Sequence, residues 1–167
     1  MNTITALRQE LHRLIALNYA EQWVDAPTAL LRLRTFGNEL IPSLIEFLED
    51  TDAEVRVLVI ELLDAAGSRS EPAIPILIRK LSDPDRLVRI AAASSLRKFG
   101  PKAGSAVPHL ESWLADDHEY VRIIAATTIL WVDPTKYLSL MPVVMAARRS
   151  ENIMVRGQAD DFLRGYG

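Results

Sequence analysis

Four segments of the chain align without gaps over 26 positions, and this repeat limits the possible folds more than any other feature. They begin at Pro42, Pro75, Pro108 and Pro142, at spacings of 33, 33 and 34 residues. A Val-Arg pair follows each proline at one fixed offset: Val55-Arg56, Val88-Arg89, Val121-Arg122 and Val155-Arg156. Gly67, Gly100 and Gly167 close three of the units, and Asp133 stands in that place in the other. Recurrence of this pattern four times between Pro42 and Gly167 excludes chance.

Each unit reads as two short helices. Proline suits a first helical turn, where its missing N–H costs no intrahelical bond. Apolar residues follow at helical spacing, as in Leu44, Ile45 and Leu48. An Asp-rich break comes next, and Asp caps the following helix by accepting its free N–H groups. The second helix carries an apolar stripe: Val55, Val59, Leu63, Ala66; Val88, Ala92, Leu96, Phe99; Val121, Ala125, Ile129, Val132. Gly as C′ residue ends it. Residues 4–18 present Ile4, Leu7, Leu11, Leu14 and Ile15 on one face, and a second helix runs from Glu21 or Pro27 to Phe36, with Gly37 at its end. This pair lacks the Pro and Val-Arg marks and reads as a terminal cap.

A two-helix unit cannot bury its apolar face alone, so the units must stack. The expected fold is all-α: a right-handed α-α superhelix, or α-solenoid, of about five helix-turn-helix units. A single domain spanning 1–167 is expected, divided into a cap (1–37) and repeats at 38–67, 68–100, 101–133 and 134–167. Ser68–Pro72 and Pro101–Gly104 are expected as loops between units.

With the Pro, the Asp-rich turn, the Val-Arg pair and the closing Gly in place, the chain resembles HEAT repeats. It is most similar to the HEAT-like repeats named after phycobilisome lyases. The resemblance implies an Arg–Asp ladder between successive repeats. Arg56, Arg89, Arg122 and Arg156 would supply the Arg, and Asp52 and Asp85 the Asp; His118 and Asn152 fill the equivalent position in the last two units. The family includes bilin lyases, chaperones and adaptor subunits, so the resemblance implies fold far more strongly than function.

Second helices of such solenoids usually line the concave side. Residues beside the core stripe would then meet a partner: Glu54, Leu58 and Glu61; Leu87, Ala91 and Lys98; Tyr120, Ile124, Thr127 and Trp131. Tyr and Trp are favoured anchors at interfaces. Packing on neighbouring units is the competing explanation for Leu87 and Ile124. At the last pair, Val143, Val144, Met145, Met154 and Phe162 cannot all face inward. An apolar end is therefore expected, suited to a homodimer or to a further segment.

Little in the chain points to chemistry. The chain has no Cys, which removes disulfides, thiolate zinc sites and cysteine nucleophiles. None of His12, His109 and His118 has a second His at ligand spacing, and Asp116-Asp117-His118-Glu119 lacks the layout of a calcium loop. No phosphate-binding or nucleophile-elbow motif is present. No metal, cofactor or catalytic residue is expected. The net charge is −3, and by unit it alternates as +1, −7, +4, −3 and +2, which breaks any continuous basic track. Nucleic acid is therefore a poor fit. No apolar run or signal peptide points to a membrane, and the cytoplasm is the default. The expected function is a non-enzymatic scaffold or adaptor that binds another protein or peptide. A bilin-lyase-like enzyme or pigment-protein chaperone subunit is the alternative implied by resemblance.

Overall fold

The computed structural model describes residues 3–19, 26–33 and 40–166. Ten helices are found there: α1 (Thr3–Tyr19), α2 (Ala26–Arg32), α3 (Leu40–Phe47), α4 (Ala53–Ala65), α5 (Ile74–Lys80), α6 (Arg86–Lys98), α7 (Val107–Trp113), α8 (Glu119–Val132), α9 (Tyr137–Ala147) and α10 (Ile153–Tyr166). No strand occurs among the described residues. The chain packs as two compact units, Met1–Ala91 and Ala92–Gly167.

In the first unit α1, α2 and α3 all pack on α4. The apolar face of α1 supplies Leu7, Leu11 and Leu14, and α4 supplies Val55, Val59, Leu62 and Leu63, all buried. In the second unit α7, α9 and α10 all pack on α8. Apart from Arg122 and Trp131, every residue of α8 from Val121 to Val132 is buried. A helix that is apolar on all sides is stable only when other elements surround it. Thr127 and Thr128 fit into this core because their hydroxyls find acceptors. Thr127 donates to the Ile123 carbonyl at 2.8 Å, and Thr128 to the Ala93 carbonyl of α6 at 3.4 Å.

The core stripe of the second helices is buried throughout except at Phe99, which is half-buried. Gly67 and Gly100 have φ of 62° and 55°, the left-handed region where other residues pay for their Cβ. Gly37 and Gly167 lie outside the described residues. Asp133 replaces the glycine by another device. Its N–H donates to the Ile129 carbonyl at 2.7 Å, and its carboxylate accepts from the Thr135 N–H and hydroxyl.

Two local expectations differ from the structure. The inter-unit stretches are 3-10 helical, over Gly67–Ala73 and Gly100–Ala106. Pro142 does not start its helix: α9 begins five residues earlier at Tyr137 and carries Pro142 inside. In α5 and α7, by contrast, Pro75 and Pro108 occupy the first turn. The shorter 3-10 turn at Pro134–Lys136 lets α9 start early.

Candidate protein-docking site

The repeated Arg has one role in all four units. Nη1 of Arg56, Arg89, Arg122 and Arg156 donates to the two carbonyls six and five residues before it, at 2.6 to 3.2 Å. Each Arg thereby pins the turn that leads into its own helix. The residue at the first of those carbonyls is Asp50, Asp83, Asp116 or Ser150. Its side-chain oxygen accepts the N–H two residues on, at 2.8 to 3.1 Å.

The Asp of the ladder is therefore not the one expected. Asp52 and Asp85 turn back on their own helices: Asp52 accepts from the Glu54 N–H, and Asp85 from those of Leu87 and Val88. They are helix caps, as is Asn152, which accepts from Met154 N–H, whereas His118 makes no such bond. The carboxylate two residues earlier reaches the preceding repeat. Arg56 Nη2 donates to Asp83 Oδ1 at 2.7 Å, with side chains 8% and 2% exposed. Arg8 of α1 pairs with Asp50 in the same way and lies over the Phe47 ring at 5.0 Å. In the last unit Ser150 replaces the acid, and its hydroxyl donates to Glu119 at 2.7 Å.

A small charged network surrounds the Arg56–Asp83 pair. Lys80 Nζ lies 2.6 Å from Glu49 and 3.5 Å from Asp83. Burial pushes the Asp83 carboxyl up, but Arg56, the Asp85 N–H and Lys80 together outweigh it and hold its pKa below 3.8. The hydrogen bond from Lys80 holds Glu49 below 4.5 against a smaller effect of burial, with help from Arg79. Glu61 goes the other way. Its carboxyl is partly desolvated and sits near the Asp64 carboxylate, so its pKa is raised above 4.5. Arg56 Nε is buried with no acceptor among the described residues, so the network is not fully satisfied.

The residues expected to meet a partner divide sharply. Leu58, Ile124 and Thr127 are buried, at 6%, 2% and 1% exposure, and present no surface. This corrects the expected face on α4 and α8, whose apolar character extends beyond one stripe. In the first unit Glu54, Glu61 and Leu87 are exposed and Ala91 is half-buried; in the second Lys98 is exposed, and Tyr120 and Trp131 are half-buried at opposite ends of α8. At the last pair Val144 and Phe162 are buried, Val143 is half-buried, and Met145 and Met154 are exposed.

Trp131 lines a cleft of about 510 Å³ at the C-terminal ends of α6 and α8. Phe99, Pro101 and Pro134 give it apolar walls, and Arg97 and Lys98 bring positive charge. The indole also meets α10: Phe162 stands edge-on to it at 6.2 Å, and a Cβ at Gly165 would come within 3.5 Å of its ring. Sequence reasoning named Trp131 and Lys98 and missed the other liners. Their signal was the Phe-Gly-Pro run 99–101, where a stripe residue meets a left-handed turn and cannot be covered. A second surface lies on the last helix pair, which contributes Tyr137, Leu138, Met145, Ile153 and Met154 to the exposed large apolar side chains. Among the described residues no group of three or more His, Asp or Glu is placed to hold a metal ion. Nor is any helix there long and apolar enough to cross a membrane.

Helix pairs in a fixed register, each turn pinned by its own Arg, define an α-helical repeat protein. The HEAT-repeat profile matches residues 41–131, and the chain belongs to that family. Among solved structures it is similar to a chain in the complex of CpcE and CpcF of phycocyanin lyase from Nostoc sp. PCC7120. Identity is 18%, with 96% of this chain and 99% of that chain covered, at a TM-score of 0.64. The shared fold is the α-solenoid. No curated protein sequence matches the chain.

Proposed function

We propose that the protein is a non-enzymatic scaffold or adaptor that binds another protein. The observation that carries this reading is the apolar surface left in water on α9 and α10, where Leu138 is 87% and Ile153 72% exposed. Large apolar side chains this exposed on one helix pair support an interaction surface there. In the first unit Glu54, Glu61, Leu87 and Ala91, and in the second Lys98, Tyr120 and Trp131, are proposed as further contact residues. The absence of Cys suits a reducing compartment, and we place the protein in the cytoplasm.

The test is affinity purification from the native cell with mass spectrometry, comparing the unaltered chain with Leu138→Ser/Ile153→Ser. A partner lost from the double variant supports the reading. A partner retained by it, or none recovered in any growth condition, refutes it. Light scattering on concentrated protein distinguishes a foreign partner from a second copy of the chain.

A bilin-lyase-like enzyme or pigment-protein chaperone subunit is the second reading. Likeness to a phycocyanin lyase complex over nearly the full length of both chains favours it. Incubation with bilin and apo-phycobiliprotein, alone and with candidate partner chains, tests it. Failure to transfer or retain chromophore under every condition rejects it.

A further inference from the structure

We infer that the cleft at Trp131 is a peptide-binding subsite that takes an aromatic or large aliphatic side chain flanked by a carboxylate. This inference rests on the protein-binding reading and names a site and a chemistry for it. Five observations support it.

The volume, about 510 Å³, exceeds what a single side chain fills and leaves room for adjoining backbone. The walls are apolar and ringed: Phe99 and Trp131, with Pro101 and Pro134 beside them. Rigid aromatic and proline surfaces lose little entropy when a partner covers them. The indole is also packed in advance, edge-on against Phe162 of α10 with Gly165 leaving room for its ring. A preorganised anchor avoids part of the ordering cost of binding.

Charge selects the partner. Arg97 lines the cleft half-buried, and no acid pairs with it among the described residues. Three other cations of the same unit do have acids: Arg148 pairs with Asp160, Arg164 with Asp161, and Lys136 with Glu111. A guanidinium beside apolar walls and without an acid of its own is matched by a carboxylate that arrives next to an apolar group. The cleft is open on one side, which suits a chain laid across the surface better than a small molecule that must be largely enclosed.

The probe is an acetylated nonapeptide with a central Phe and Glu on either side. It is titrated into ¹⁵N-labelled protein, and the amides of residues 97–100 and the Trp131 indole N–H are followed. Saturable shifts confined to those signals are expected. Binding should weaken about tenfold or more in Arg97→Glu, in Trp131→Ala, and with a peptide whose two Glu are replaced by Lys. The spectra of the variants report whether they are folded, and Arg97→Ala, which removes the charge without reversing it, gives a second reading of the same contact.

No saturable shift at millimolar peptide overturns the inference. So does equal binding of the Lys peptide, or binding of phenylpropionate at least as tight as that of the Phe peptide, which would make the cleft a small-molecule site. The two proposals fail separately. A native partner that stays bound to Arg97→Glu and Trp131→Ala removes this subsite and leaves the scaffold standing. Recovery of no partner at all removes the scaffold, whatever the peptide does.

Discussion

Arg56→Ala should cost far more than Arg156→Ala, although both arginines pin their own turns with the same two bonds. Each variant leaves two turn carbonyls without a charged donor. At Arg156 these carbonyls are exposed or half-buried and water can replace the guanidinium, so the loss should be about 1 kcal/mol. At Arg56 the variant also strands Asp83, whose side chain is 2% exposed. Removing one member of a buried pair costs about 3–5 kcal/mol. Lys80 at 3.5 Å and the Asp85 N–H at 3.0 Å still face the carboxylate, which points to the lower end, about 3 kcal/mol. The difference of about 2 kcal/mol is what the inter-repeat acid adds. The two residues lie in different compact units, so amide hydrogen exchange in α4 and in α10 is the suitable readout, supported by urea unfolding. Equal losses within about 0.5 kcal/mol would show that the Arg56–Asp83 pair adds nothing to the turn bonds.

Acid should weaken the first unit through Asp83. Its pKa is depressed in the fold, so its contribution is complete above the free value of 3.8 and disappears as pH falls below it. Asp83→Asn should be less stable at pH 7, and its urea midpoint should vary less between pH 5 and pH 2 than that of the unaltered chain. Glu61 has the opposite sign: its raised pKa means that the ionised form is penalised in the fold above 4.5. Glu61→Gln should therefore gain stability at pH 7 and none at pH 3, as read by thermal melts. Gly157 lies within α10 with open space where a Cβ would go, so Gly157→Ala should stabilise by about 0.5–1 kcal/mol. Gly100→Ala, forced to keep φ near 55°, should lose about 1–2 kcal/mol in the same denaturation assay.

The fold was legible because a repeat reports its own period. The buried stripe, the cap face of α1 and the closing glycines all follow from apolar spacing and turn chemistry. The ladder was only half legible. Four arginines recur visibly, but two carboxylates stand two residues apart in each of the first two turns, at Asp50 and Asp52 and at Asp83 and Asp85. Which one caps and which one reaches the preceding repeat depends on backbone direction. Arg8 could not be found, because it meets Asp50 from a helix outside the repeat register. Exposure on the second helices was legible at Lys98 and at the half-buried Trp131 but not at Ile124 and Thr127, which are buried. On α8, apolar residues fill every side, so period alone could not separate an open face from a covered one.

The turn clamp has a consequence for how such a chain can lengthen. Arg89, Arg122 and Arg156 each satisfy carbonyls of their own unit, with every bonded atom encoded within seven consecutive residues. A duplicated copy therefore carries its own working turn into any position in the array. Within this clamp only the acid that receives the preceding Arg reaches another copy, and Ser150 shows that this acid can be lost while the clamp persists. Gene duplication can thus insert or delete whole units without rebuilding the turn that each unit brings with it.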